Sequence, residues 1–323
     1  MKTKTKLKIL AVGLAVVLTA CGGAEERKAK YLEKGKVYLA EKNYEKARIE
    51  FKNVLQIDPK FADAYYYMGQ IEEQNRDLQK AAGNYHQVLQ LDAEYINAKV
   101  KLARIYTIVG TDEYIGNAKN LLQEVFAKQP DHAEAILVDA TIDSRSGNKD
   151  QAIEKILKVI EKSATQVDAY SLLAAIYASQ GKDAFAIEAL KNGINNNSDA
   201  IALRMMLAQT MVKNNSDLIG AEEQLKKIIE IDPENYNYRI ALATFYATSK
   251  QADKAELILR EAIADDAEDP KRYLVLVEFL AGQKSVKAAE EELLSAIAKK
   301  PKFYELRFAL VSSTRNYSWL TKP

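Results

Sequence analysis

Lys101 and Arg104, three positions apart, are the residues whose type and spacing come closest to recognition chemistry. On a helix they lie one turn apart on one face. Such a pair can hold a peptide carboxylate or an acidic side chain through charge-assisted hydrogen bonds. Two ordinary solvated surface residues would have the same spacing, and that reading stays open. Other reactive types offer less. His86 and His132 stand far apart, and neither has a second His or Cys at ligand spacing, so no metal site is expected. No glycine-rich phosphate loop occurs, so no nucleotide or other cofactor is expected. Glu72-Glu73, Asp265-Asp266 and Glu290-Glu291-Glu292 read as exposed helix faces or turns, not as a catalytic pair in a cleft. The sequence therefore predicts no enzyme.

The elements that must position these residues are short helices. From Lys28 to Phe61, Tyr31, Gly35 and Tyr38 fall on one side of a first helix, and Ala47, Phe51 and Val54 on one side of a second. Isolated helices of this length are marginal in water, so each needs its partner and the pair needs a neighbour. The spacing Tyr31-x-x-Lys34-Gly35-x-x-Tyr38, Ala47-x-x-x-Phe51 and a closing Pro59 resembles the tetratricopeptide repeat. Tyr31 stands in its Trp slot and Lys34 in its Leu slot. Gly35 and Ala47 are small where the helices cross, while Tyr38 and Phe51 fill the space around the crossing.

The spacing recurs at a period of about 34 residues. Further copies span Ala62–Tyr95, Ile96–His132, Ala133–Gln166, Val167–Ala200, Ile201–Asn235, Tyr236–Asp269 and Pro270–Phe303. The third has about three extra residues near Gly110–Glu113. The fourth is the weakest and puts Asp143 in the Tyr slot. Strand signals are scarce. The expected fold is all-α: a tetratricopeptide superhelix, an α-solenoid of about eight helix-turn-helix repeats over 28–303 with a partial ninth over 304–323. Tyr304 to Pro323 carries one helical stripe of Leu306, Leu310 and Val311 and no second helix. Either Trp319 and Leu320 fold back over the last repeat, or the chain is a shortened relative of a longer protein.

The net charge of +1 hides an asymmetry. Residues 1–20 hold four Lys and no acid, leaving 42 basic against 45 acidic residues in the remainder. A mixed surface of that kind has no electrostatic footprint for nucleic acid. The basic start followed by ILAVGLAVVLTA reads as a signal peptide over 1–20. Leu18-Thr19-Ala20-Cys21 resembles a bacterial lipobox, which implies acylation, as by palmitate, at Cys21, the only cysteine. Residues 21–27 would then be a lipidated tether, with Gly22-Gly23-Ala24 its flexible part. Gly22, where inner-membrane lipoproteins carry Asp, implies the periplasmic face of the outer membrane.

By the same resemblance, the first helix of each repeat lines a concave binding surface. First-helix residues not needed for packing are Lys36, Tyr66, Tyr67, Gln70, Lys101, Arg104, Arg145, Met205, Met206 and Gln209. Gln70 lies near Lys101 and Arg104 if the register is right. One of Tyr66 and Tyr67 would equally suit packing on a neighbouring repeat, and Met205 and Met206 suit a core as well as a surface. The opening of the chain resembles the long tetratricopeptide lipoproteins of exosortase and exopolysaccharide systems. That resemblance implies a lipid-anchored scaffold for protein or peptide partners of the cell envelope, polysaccharide-export machinery among them. Pilus or outer-membrane assembly lipoproteins are the alternative of the same class. A glycan-binding groove using Tyr66, Tyr67 and Gln70 is the alternative of another.

Overall fold

In the computed structural model, residues 23–214 and 217–315 are described. The expected signal peptide, Cys21, Trp319 and Leu320 lie outside them. Among the described residues there are 17 α-helices and no strand. The chain divides into two compact units, the first ending at Val159 and the second beginning at Ile160.

The first unit holds α1 (23–40), α2 (Tyr44–Ile57), α3 (Ala62–Gln74), α4 (Leu78–Leu91), α5 (Ile96–Val109), α6 (Asp112–Lys128), α7 (Ala133–Arg145) and the first part of α8 (Lys149–Lys162). The second holds the rest of α8, then α9 (Val167–Ser179), α10 (Asp183–Asn196), α11 (Ile201–Lys213), α12 (Leu218–Ile231), α13 (Asn237–Thr248), α14 (Ala252–Asp265), α15 (Pro270–Gln283), α16 (Val286–Lys299) and α17 (Tyr304–Arg315). Within each unit a helix packs on its hairpin partner and on the following hairpin, as α3 does on α4 and α4 on α5. The first helices of successive hairpins also touch, as in α5 with α7, α9 with α11, and α15 with α17. This is the solenoid arrangement, in which each hairpin's apolar stripe is covered only by its neighbours.

The crossing of each hairpin explains its sequence. Gly35 is buried against the Phe51 ring, and a β-carbon there would sit 2.5 Å from it. Gly69 stands in the same relation to Tyr85, again at 2.5 Å. In the turns, Gly110, Gly147 and Gly181 take positive φ, but so do Lys42, Arg76 and Lys250. Five of the second helices (α2, α4, α6, α12 and α16) are then capped by short polar side chains. Asp77 accepts from the Lys80 amide at 3.0 Å, and Ser285 from that of Ala288 at 3.1 Å.

Two expectations, on the tether and on Glu72, are corrected here. The tether over 21–27 is helical from residue 23 onward. Lys28 pins that first turn by pairing with Glu25 at 2.8 Å and with Asp58 of the next helix end at 3.0 Å. The extra residues of the third repeat lengthen α6 to 17 residues, against 14 in α4, so they add most of a helical turn and no loop. Glu72 is no exposed face: it is buried and salt-bridged to Arg48 of α2. Glu72 occupies in the second hairpin the slot that Tyr38 fills in the first. Asp143 fills the same slot in the fourth, paired with Lys155 together with Asp139. An acid is accepted at this packing position because a cation from a second helix reaches it.

Candidate functional site

Four helices of the first unit converge on a cleft of about 300 Å³ lined by Leu39, Tyr44, Gln70, Glu73, Gln74, Lys101 and Arg104. Gln70, Glu73 and Gln74 share one face of α3 because they are three and four residues apart, and Lys101 and Arg104 share one face of α5. The register thus brings Gln70, Lys101 and Arg104 together, as their spacing implied. What the sequence did not reveal is how their charges are used.

Arg104 pairs with Glu73 through Nη2, and Lys101 Nζ pairs with Glu134 of α7 at 2.7 Å. Glu73 also accepts a hydrogen bond from the Tyr85 hydroxyl at 2.6 Å, which fixes the carboxylate against α4. Both cations therefore already have a carboxylate. The expected capture of a partner's acid by a free basic pair is corrected: each cation has an acid of its own, and the lining adds the amides of Gln70 and Gln74 and the Tyr44 hydroxyl. Arg104 Nε is buried without a hydrogen-bond partner, and the Tyr44 hydroxyl lies 3.5 Å from Gln74 Oε1 at the opposite wall. Such a lining offers donors and acceptors to an uncharged polar chain, as a peptide backbone is.

Tyr66 and Tyr67 are not among the residues that line the cleft; both are taken up in ring packing. Tyr66 is buried, with ring centroids 5.6 Å from Tyr67, 5.8 Å from Tyr85 and 5.2 Å from Tyr95. Burial pushes its phenol above the ordinary value, opposed by the Lys101 charge and a hydrogen bond with Gln70. Burial also raises Tyr85 and Tyr95, and Tyr95 further donates to Asp63 at 2.8 Å. Tyr67 is half-buried and stacks on Phe51 at 5.1 Å. Neither ring is a free platform for a sugar, so the glycan-stacking alternative loses its surface. Lys36 lies over Tyr67, 5.8 Å from the centroid, and pairs with Glu33 at 2.8 Å. That hydrogen bond to Glu33 raises its ammonium above the ordinary value.

The remaining candidates are not brought to the cleft. Arg145 donates from Nη1 to the Thr107 carbonyl, serving the C-terminal end of α5 beside Gly110. Met205 and Met206 are half-buried and Gln209 exposed on α11 of the second unit, whereas the cleft belongs wholly to the first. Glu73, Tyr44, Gln74 and Leu39 were missed. Glu73 had one usable signal, its place three residues after Gln70 on the same helical face.

Among the described residues, no cluster of His, Cys, Asp and Glu could hold a metal ion. Among them also, no helix is long and apolar enough to cross a membrane. A family model described as tetratricopeptide repeat matches residues 215–277, and a second, described as TPR repeat, matches residues 35–75. Human protein O-mannosyl-transferase TMTC3 is 24% identical over 263 residues, which covers 77% of this chain and 28% of that protein. The chain thus spans little more than a quarter of that relative's length. Among solved structures, MamA protein shares 20% identity at a TM-score of 0.40, covering 54% of this chain and 93% of MamA. The pilF protein of Pseudomonas aeruginosa shares 15% at a TM-score of 0.40, covering 80% and 99%.

Proposed function

This chain is a tetratricopeptide repeat protein, and from that premise we propose that its cleft takes an extended segment of a protein partner. The role is that of a scaffold, and no catalytic group is assigned. The observation that carries the reading is the polar cleft between α1, α2, α3 and α5, whose charges cancel internally and whose lining adds the amides of Gln70 and Gln74. A segment there would be held by hydrogen bonds to its backbone and uncharged side chains.

The proposal extends to location. Acylation at Cys21 would hold the scaffold at the periplasmic face of the outer membrane, where it would serve envelope assembly or polysaccharide export. The support is the order of basic segment, apolar run and Leu18-Thr19-Ala20-Cys21 in the sequence. Two acyl chains or more would make the anchorage firm.

The test is capture of a partner from detergent-solubilised envelope by the full chain, alongside a Gln74→Trp variant. Gln74 is exposed at the cleft wall, so the indole fills the cleft without disturbing the core. A partner retained by the parent and lost from the variant supports the reading. Equal retention by both chains, or none by either, overturns it. Cys21→Ser tests the anchor separately: the chain should leave the membrane fraction and lose the mass of its acyl groups.

A further inference from the structure

The second unit contains a groove of opposite character. It lies between α15 and α17, has a volume of about 700 Å³, and is lined by Leu274, Glu278, Tyr304, Glu305, Phe308, Ala309 and Ser312. Tyr304 and Phe308 are four residues apart, hence on one face, and are 73% and 75% exposed. Two large rings left this open, side by side, are uncommon on a surface that has no partner.

The charges around the groove say what kind of partner it suits. Many acids of these last hairpins are matched: Glu256 and Glu292 by Arg260, Asp253 by Lys284, Glu268 by Lys300, and Asp269 by Arg272. Glu278 and Glu305 are exposed, and among the described residues neither has a cation within ion-pair distance. Two unmatched carboxylates therefore flank an apolar floor. A second copy of the chain placed on the same patch would set these acids against each other, which disfavours self-association there.

We propose that the groove between α15 and α17 docks a basic, apolar segment of another protein: an aliphatic or aromatic anchor on Phe308 and Tyr304, with flanking Lys or Arg on Glu278 and Glu305. The anchor covers the rings and excludes water, and the flanking cations choose the partner. This surface is separate from the Lys101–Arg104 cleft. Its failure would leave that cleft's role standing, and the reverse also holds.

The experiment uses the full chain and two short fluorescein-labelled helical peptides, one with Leu and Phe flanked by Lys, the other with Glu for each Lys. Anisotropy titration should show the basic peptide binding at least about tenfold tighter than the acidic one. Phe308→Ser should weaken it about tenfold; the ring is exposed, so unchanged circular dichroism confirms an intact fold. The double variant Glu278→Lys with Glu305→Lys should reverse the preference between the peptides. Equal binding of both peptides, or insensitivity to Phe308→Ser, overturns the proposal. So does binding only after residues 316–323 are deleted, which would make the chain's own tail the occupant.

Discussion

The first two hairpins and the later ones solve one packing problem in two ways. At Gly35 and Gly69 the first helix gives up its side chain, and the second helix sends a ring, Phe51 or Tyr85, into the space. In the later hairpins the small position gains a methyl group and the large one loses its ring. Ala140 with Ile156, Ala174 with Leu190 and Ala243 with Leu259 occupy the corresponding places, all buried. The size of either residue is thus free to vary, while their combined size is held, because two helices crossing at a fixed separation leave a fixed volume. The fifth hairpin carries an inversion of the rule: Gly193 on the second helix yields to Tyr170 on the first.

The largest effects should come from emptying these crossings. Phe51→Ala is expected to cost about 3–5 kcal/mol, at the upper end of the range for Leu259→Ala, since a ring leaves the larger void. Urea unfolding, with hydrogen exchange resolved along α1 to α4, measures it and keeps local loss distinct from loss of the whole array. Arg48→Met should cost about 3 kcal/mol, because Glu72 is then buried without its cation. Glu72→Gln in the same background should recover part of that loss.

Of intermediate size is the overpacking test. Gly69→Ala should destabilise by about 1–3 kcal/mol, its methyl group meeting the Tyr85 ring. Adding Tyr85→Leu should return part of it, converting the hairpin to the later type. Strict additivity in that double-mutant cycle would break the comparison.

Acid should act more gently, and on both units: hydrogen bonds from Lys28 and Lys80 hold Asp58 and Asp77 low in the first. A hydrogen bond from Lys284 holds the Glu256 carboxyl below its ordinary value of 4.5, and one from Lys226 does the same for Glu222. A carboxyl lowered in the folded state contributes stability that is complete above the unfolded value and fades as pH falls through the folded one. The second unit should therefore lose stability below about pH 4.5, and Glu256→Gln should flatten that decline. Chemical denaturation between neutral pH and about pH 3 shows it as a shallower slope. The smallest effect is expected in the turns. Lys250→Gly should relieve a left-handed residue, for a gain under about 1 kcal/mol after the added chain entropy.

The sequence by itself determined the hairpins and their register. Helices open at Ala62, Ile96, Ala133, Val167, Ile201, Pro270 and Tyr304, the residues at which the repeats begin, with Asn237 one place late. The reason is that small and large positions recur at fixed intervals, and a helical period turns those intervals into faces. Turns were legible at Gly110, Gly147 and Gly181 but not at Lys42, Arg76 or Lys250, where the local backbone hydrogen bonds that close the preceding helix set a non-glycine residue in the left-handed region. Only the tertiary structure decided what the charges do. Lys101 finds Glu134 at a separation of 33 residues, and Arg104 finds Glu73 at 31. Glu72 goes inside because Arg48 follows it. Such pairings depend on how the tips of long side chains meet across different helices, and the repeat period that sets the helices carries no record of that.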